Sequence, residues 1–297
     1  MNLEGLDGLE EIVEIDIDSK GKVIPATHDK TIIIDADTLV FGTCTMFEYE
    51  MFDEWELPLD QAYANVLDKL DYILEQVGGK RENTELHFTG SPFSFRYTLL
   101  LEAFPDDETR WYKHKRKKNR KPAGLTELKE MVVEHNPVRE CQIHQKWEAD
   151  DYCVLRKKEL GEDSIMCAVD KDLLYNTPGK HFNYYSSVKH QIEMCWVEID
   201  EHDAYYHTHL QTIIGDKSDN VPGLKGIGPA KAAKFIDKDM TVNEMWEGVI
   251  AAYNRHCDYG NPVDMAILNR RLICMNQLKR KENGECQITL WEPTKVQ

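Results

Sequence analysis

The sequence predicts an α/β fold, with a mostly parallel central sheet flanked by helices. Three stretches carry that prediction. Residues 31–35 (TIIID) and 164–169 (SIMCAV) are short, uninterrupted apolar runs, as strands covered on both faces read. Residues 85–89 (ELHFT) form a third strand-length run, and helical patterns separate the three. The first run ends in Asp35, and Asp170 and Asp172 follow the second. That is the carboxyl edge of the sheet, where open α/β folds place their sites.

At 297 residues the chain can bury one large core or two smaller ones. A net charge of −17 argues against a nucleic-acid partner until its distribution is considered. Residues 110–121 (RWYKHKRKKNRK) carry eight Lys or Arg in twelve positions, a localised contact for an anionic partner. No run of about 18 apolar residues occurs, so no membrane span is expected. The acidic start lacks a signal-peptide pattern, and a cytoplasmic location is expected. Eight cysteines without a CxxC pair, and no HExxH or Cys/His zinc spacing, fit free thiols in a reducing compartment.

In chain order, residues 1–30 are acidic, with an alternating piece at Ile15 and Ile17 and a turn at Ser19-Lys20-Gly21-Lys22. They suit a hairpin or an edge strand. After the first strand, Asp37 is a second acid that could equally cap a helix. Leu59–Val77 is a helix with one apolar stripe, Val66, Leu67, Leu70, Ile73, Leu74 and Val77, stopped by Gly78-Gly79. The strand at 85–89 runs into GSPFSFR. A charge run such as 110–121 is usually a solvated face. This one lies mid-chain and carries Trp111 and Tyr112, aromatics able to stack on a base while lysines hold the backbone. Leu125–His135 is a helix.

Residues 147–151 (WEADD) open a helix that runs to Leu160 and stops at Gly161. Its acids suit the helix dipole, and Glu148 and Asp151 share a face. Residues 182–185 and 194–199 read as a pair of strands, and a helix from about 203 to 214 delivers Asp216. Helices at 242–257 and 263–275 pack on the core. His207 and His209 read as surface or core histidines, not zinc ligands.

Residues 215–235 (GDKSDNVPGLKGIGPAKAAKF) organise the rest. Gly226-Ile227-Gly228-Pro229 reads as a tight turn opening a helix, with Pro229 at its first position. Both glycines are expected in backbone shapes that a Cβ would forbid. Residues 221–225 read as the end of the preceding helix and the turn of a hairpin. Backbone N–H groups at such a helix start can hold a phosphate, with Lys231 and Lys234 flanking it. A glycine turn alone is an ordinary surface, but Asp216 and Asp219 stand beside this one. Carboxylates repel phosphate unless a divalent cation lies between them, and an oxygen site suits Mg²⁺ or Mn²⁺.

With EADD at 148–151, DKDL at 170–173 and GDKSDNVPGLKGIG at 215–228, the chain resembles the 5′ nuclease (flap endonuclease) family over about residues 31–275. The likeness is to the bacteriophage enzymes and to the 5′-nuclease domain of bacterial DNA polymerase I. The resemblance implies a nuclease core at 31–205, a helical arch inserted at 105–135, and a helix–three-turn–helix with C-terminal helices at 206–297. Residues 1–30 lie outside it. Leu268-Asn269-Arg270-Arg271-Leu272-Ile273 is similar to the family's C-terminal helix.

The implied metal ligands are Asp35, Glu148, Asp150, Asp151, Asp170, Asp172, Asp216 and Asp219. Arg96, Lys113 and Arg116 take the phosphate-facing catalytic positions. DNA contacts fall on Tyr112, Lys113, Lys115, Arg116, Lys117, Lys118, Arg120 and Lys121, and on Gly226, Gly228, Lys231 and Lys234. One departure stands out. The family's acid a few residues before an SFR-like triplet, here Ser94-Phe95-Arg96, falls on Thr89 or Gly90.

Converging acids would form a pocket of about eight carboxylates. Two unit charges about 5 Å apart repel by roughly 3 kcal/mol at an effective dielectric near 20, so such a pocket calls for cations. The resemblance implies two Mg²⁺ or Mn²⁺ ions that activate water and stabilise the leaving oxygen, with a K⁺ at the hairpin. Glu148, Asp150 and Asp35 are assigned toward a first ion and Asp172, Asp216 and Asp219 toward a second. Asp151 and Asp170 bridge or sit outside. The implied substrate is DNA with a 5′ end, a flap or a single-strand/duplex junction, or an RNA–DNA hybrid, read by shape. Replication proteins are implied partners, in a host bacterial cytoplasm if the chain is phage-encoded. Two other classes compete. One is a structure-specific DNA-binding protein of the same fold with weakened catalysis, suggested by Thr89. The other is a PIN-like metal-dependent ribonuclease, disfavoured by the glycine hairpin.

Overall fold

The computed structural model describes residues 16–17, 23–90, 94–187 and 193–293. Ile32, Ile33 and Ile34 are wholly buried in β1 (Thr31–Asp35), the strand that the rest of the sheet is built around. Next to it on one side comes β2 (Thr84–Thr89), then β3 (Glu140–His144) at the edge. On the other side lie β4 (Ser164–Ala168), β5 (Gly179–Asn183) and β6 (Cys195–Ile199). The order is β6-β5-β4-β1-β2-β3, parallel throughout except for the antiparallel β5–β6 pair. The chain moves outward from β1 to β3, then returns to β4 on the far side of β1. That reversal makes the crevice above β1 and β4 the topological switch point.

The alternation within TIIID explains the layers. Ile32 and Ile34 face α1 (Asp37–Phe47), α2 (Leu59–Val77) and, across one core cluster, α4 (Leu125–His135). α3 (Phe95–Ala103) precedes α4 in the chain and carries Arg96. Ile33 points to the opposite face, against Cys153 and Val154 of α5 (Ala149–Leu160) and Leu173 and Leu174 of α6 (Lys171–Tyr175). A separate apolar cluster joins α7 (Glu201–Ile214), α8 (Pro229–Ala232), α9 (Val242–His256) and α10 (Pro262–Ile273). All eight cysteines are free. Among the described residues, no helix is long and apolar enough to cross a membrane.

Several expectations need correction. The edge strand β3 was not expected, because ECQIH is mostly polar and lacks a strand signature. Asp16–Ile17 pairs with Val23–Ile24, while Ile15 and the Ser19-Lys20-Gly21-Lys22 turn lie outside the described residues. α7 ends at Ile214, so residues 221–225 do not finish a helix. Instead, residues 216–221 form a loop closed by paired hydrogen bonds between Asp216 and Val221. The 105–135 segment is not one helical arch. Its basic part folds as two 3₁₀ turns, Glu108–Arg110 and His114–Lys118, and α4 is core, with Leu128 and Val132 fully buried.

Candidate metal centre and nucleic-acid interface

The acids of four distant segments meet at the switch point. β1 ends in Asp35, which is 5% exposed. Burial first, then the charges of Asp37 and Asp170, push its carboxyl up to about 8. Asp150 stands in the first turn of α5, and desolvation followed by Asp35 and Glu148 raises it well above the usual carboxylate range. Asp170 caps α6, accepting from the Asp172 N–H at 2.8 Å, and desolvation with Asp219 and Asp216 raises it. Asp172 is pushed up to about 7 by burial and Asp170, against a 2.8 Å hydrogen bond from Gln211 Nε2. Burial makes each of these groups resist ionising, and neighbouring carboxylates add to it.

A second set is charged and paired. Glu148, at the N-cap of α5, accepts from Arg96 Nη1 at 3.1 Å and Tyr112 OH at 3.3 Å, and pairs with Lys113. Burial alone would raise Glu148, but the Lys113 and Arg96 charges outweigh it and hold it at about 2. Asp216 accepts from the Ser218 hydroxyl at 2.5 Å, Lys171 Nζ at 2.9 Å and the Ser218 N–H at 2.6 Å; burial opposes its charge, but these partners outweigh it and hold it at about 2. Asp219 accepts from Tyr112 OH at 2.7 Å and pairs with Arg116.

The basic segment is sewn onto this acidic loop. The Lys113 N–H donates to Asp219 O at 2.9 Å, and Asn220 Nδ2 donates to Thr109 O and Trp111 O at 2.8 and 2.9 Å. Lys113 itself takes φ +55°, a left-handed turn that aims its ammonium inward. Burial opposes the charge on Lys113, but Glu148 and Asp219 outweigh it, so the ammonium stays protonated.

Three expected site residues have other roles. Arg96 is 1% exposed and cannot reach a phosphate. Its donors go to Asp151, Glu148, Leu272 O and Cys274 O. Asp151 does share a face with Glu148, but that face is filled by Arg96, which grips it through two hydrogen bonds. Tyr112 does not present a ring for a base. It is buried with Leu100, Val221, Leu268 and Leu272, and its hydroxyl links Glu148 to Asp219.

Of the other basic positions, Lys115, Lys118 and Lys121 are exposed. Arg120 pairs with Glu48 and lies 4.0 Å from the Trp55 ring centroid. The Lys117 side chain lies outside the described residues.

At the hairpin, Gly228 caps α8 and Pro229 is its first residue. Gly226 has φ +73°, as expected. Gly228 is extended at φ −101°, a shape open to any residue, which corrects the expectation of a forbidden backbone there. A Cβ added at either glycine meets nothing within 4 Å, so both present bare backbone to open space. Lys231 Nζ donates to Gly226 O at 2.9 Å, and Lys234 is exposed.

Sequence reasoning missed four supports. Thr89 Oγ1 accepts from the Ala149 N–H at 2.9 Å and so caps α5, whose N-cap Glu148 makes no such bond. Lys129 Nζ bonds Thr89 O and Asp37, fixing the end of β2. Tyr184 OH donates to Asp35 O at 2.7 Å. Gln211 ties Asp172 to Asp216. Only Thr89 carried any signal, as the position where an acid was expected.

The donor set is all oxygen, and Asp35, Asp150 and Asp172 carry the raised pKa values of uncompensated carboxylates. That chemistry fits a hard divalent cation. Among the described residues, no three His, Cys, Asp or Glu side chains gather around one point at metal-binding geometry. Lys113, Lys171 and Arg116 hold Glu148, Asp216 and Asp219 instead.

The fold and site thus define an α/β protein with an acidic crevice at the switch point, edged by a cationic segment. Solved structures of bacteriophage T5 5′-exonuclease share this fold. A lysine-to-alanine variant of that exonuclease matches over 82% of this chain and 87% of its own, with TM-score 0.51 and 15% identity. Its zinc-bound form matches over 82% and 89%, with TM-score 0.51 and 17% identity. The T5 D15 flap endonuclease in a pseudo-enzyme-product complex with DNA and metal ions matches over 82% and 89%, with TM-score 0.51 and 15% identity. DNA polymerase I of Caldicellulosiruptor bescii is 32% identical over 65 residues, which is 21% of this chain and 7% of that protein's length. No protein-family profile matches the chain.

Proposed function

We propose that the chain is a divalent-metal-dependent 5′→3′ exonuclease and flap endonuclease, a hydrolase of DNA phosphodiesters acting at 5′ ends, flaps or single-strand/duplex junctions. The carrying observation is the meeting of Asp35, Asp150, Asp170 and Asp172 at the switch point, with raised pKa values and a docked cationic segment. The T5 structures of the same fold, described as exonuclease and flap endonuclease and solved with metal ions and DNA, support the reading.

Asp35, Asp150, Asp170 and Asp172 would hold Mg²⁺ or Mn²⁺, with Asp216 and Glu148 available once their lysines move. Two such ions, when bound, lower the pKa of water and neutralise charge on the phosphate and leaving oxygen. Lys113 and Arg116, the cations nearest the acids, would meet the scissile phosphate. Their ion pairs with Glu148 and Asp219 keep both aimed at the crevice. Gly226 and Gly228 would let a duplex backbone approach the start of α8, flanked by Lys231 and Lys234. A K⁺ at that turn belongs to the same reading. Lys115, Lys118 and Lys121 would hold the single-stranded 5′ end. In this division, residues 31–205 cut, residues 206–297 grip the duplex, and residues 1–30 are an acidic extension. RNA–DNA hybrids, replication proteins and a role in primer removal belong to the same proposal, in a bacterial host's cytoplasm.

The test is a 5′-labelled flapped duplex incubated with Mg²⁺, Mn²⁺ or EDTA, beside Asp150→Ala. Metal-dependent flap release that is lost in the variant supports the nuclease. Thr89 in place of an acid favours a second reading, a DNA-binding protein of this fold with weakened catalysis. Tight flap binding without cleavage in either metal would select it.

A further inference from the structure

A second cavity, about 530 Å³, opens at the far end of α5 from Asp150, between α5, α7 and α10. Its size falls within the range of about 300–1,000 Å³ typical of small-molecule sites. Arg270 and Thr177 line it and are 2% and 3% exposed. Arg270 Nε and Nη1 and Thr177 Oγ1 lack hydrogen-bond partners. Buried charged donors are rarely left unmet, because the desolvation penalty then goes uncompensated. One face of the Arg270 guanidinium is covered by Trp291, whose ring centroid lies 4.9 Å from Cζ. The free donors therefore lie in the guanidinium plane, the direction in which Arg binds oxyanions.

The surrounding charge agrees. Four cationic side chains, Lys157, Lys158, Arg270 and Lys279, line the cavity against two acids, Glu162 and Glu201. Lys279 is pushed down to about 8 by burial and then by Lys158, so two like charges are crowded together. A carboxylate offers two oxygens. Lys279 Nζ already donates to Asn276 O and Oδ1 at 2.9 and 2.7 Å, but in-plane arginine donors, a buried hydroxyl and the Lys158 ammonium still call for more, as a phosphate provides. The cavity is much larger than a bare phosphate, and Tyr205 and Leu290 add apolar wall.

We propose that this cavity binds a small phosphorylated molecule, with the phosphate held by Arg270 and Thr177 beside Lys158 and the remaining body lying against Tyr205 and Leu290. The proposal does not depend on the nuclease reading, because it uses none of the crevice acids.

Isothermal calorimetry in EDTA with inorganic phosphate, adenosine 5′-monophosphate and adenosine tests it. The monophosphate is expected to bind more tightly than phosphate, and adenosine not at all. Lys158→Gln, at an exposed position, is expected to weaken binding about tenfold, the loss of one charge-assisted hydrogen bond. Arg270→Gln should abolish binding with an unchanged circular dichroism spectrum, and Asp150→Asn should leave it intact. Should Arg270→Gln fail to fold, Lys158→Gln decides. Absence of binding by both phosphates, adenosine binding equal to the monophosphate, or binding indifferent to Lys158→Gln would overturn the proposal.

Discussion

Arg96 and Asp151 meet through two parallel hydrogen bonds, Nη1 to Oδ2 at 3.0 Å and Nη2 to Oδ1 at 2.8 Å, with both residues at most 1% exposed. Removing one partner of such a pair strands a buried charge. Arg96→Met is therefore expected to destabilise the protein by about 3–5 kcal/mol. Arg96→Met combined with Asp151→Leu should recover much of that loss, since the stranded charge is gone. Urea denaturation of the single and double variants checks this, and equal losses in both would refute it.

Thr89 holds the start of the acidic helix. Its hydroxyl is the acceptor for the Ala149 N–H, a cap bond worth about 1 kcal/mol. Thr89→Val keeps the shape and removes the acceptor, so it should cost that amount, while Thr89→Ser should cost less than half of it. Thermal unfolding of both variants is the measurement. A valine variant as stable as the parent would show that α5 does not need this cap.

Asp35 and Asp172 titrate near 8 and 7 because burial and neighbouring carboxylates disfavour their charged forms. Unfolded, each would titrate near 4. Between these values the folded state holds protons that the unfolded chain has released, so stability falls as pH rises. The stabilisation is complete below about pH 4 and is lost as pH passes through 7 to 8. Buried His144 and His209, both held down to about 3 with burial the leading cause, act in the opposite sense and cost stability below about pH 6.5. Comparison with Asp35→Asn isolates the acid. In EDTA, the variant's stability relative to the parent should rise between about pH 5.5 and 8.5. Mg²⁺ should narrow that gain at the upper end, because the ion replaces the proton on Asp35. A pH-independent difference in urea midpoint would contradict the assignment.

What could be read from the sequence was local. Asp35 and Asp170 are legible because each follows an apolar strand, and strand direction alone puts them at the same edge. Gly226-Ile227-Gly228-Pro229 is legible because turn and helix-start chemistry acts within four residues. Arg96 and Tyr112 were misread because their partners, Asp151 and Asp219, lie 55 and 107 positions away. In the sequence Arg96 is one cation in a triplet, and Tyr112 one aromatic in a basic run. Their inward direction is set by α3 packing under α10 and by the left-handed turn at Lys113. The edge strand β3 was missed for a related reason: a polar strand is recognised by its partner β2, which its own residues do not encode.

Gly228 separates binding from folding. Its backbone is extended and a Cβ there meets nothing, so Gly228→Val should cost only about 1 kcal/mol, the loss of a favoured N-cap residue of α8. In the proposed complex the new side chain would stand in the way of a phosphate backbone. Duplex affinity is expected to fall about tenfold, or 1.4 kcal/mol. Gly226→Val should lose stability as well, because it forces a β-branched residue to φ +73°. Fluorescence anisotropy with a labelled junction, beside a melting curve, distinguishes the two. Unchanged affinity in Gly228→Val would remove the hairpin from the interface.

The basic segment carries two kinds of cation, engaged and exposed. Lys113 and Arg116 are tied to Glu148 and Asp219, whereas Lys115, Lys118 and Lys121 are exposed. Free surface lysines act on nucleic acid by displacing condensed counterions. Each Lys→Gln change at these three positions should lower the slope of log affinity against log salt by about 0.7 on single-stranded DNA. The effect should be the same for any base sequence. Lys113→Met should behave differently. It strips Glu148 of the charge that holds it near 2, so Glu148 should titrate at higher pH. Cleavage should then fall more than affinity, and its pH profile should shift upward. Anisotropy titrations across a salt series and pH–rate profiles of flap cleavage measure the two effects. Equal salt slopes for parent and lysine variants would mean that the segment faces the acids alone and not a nucleic acid.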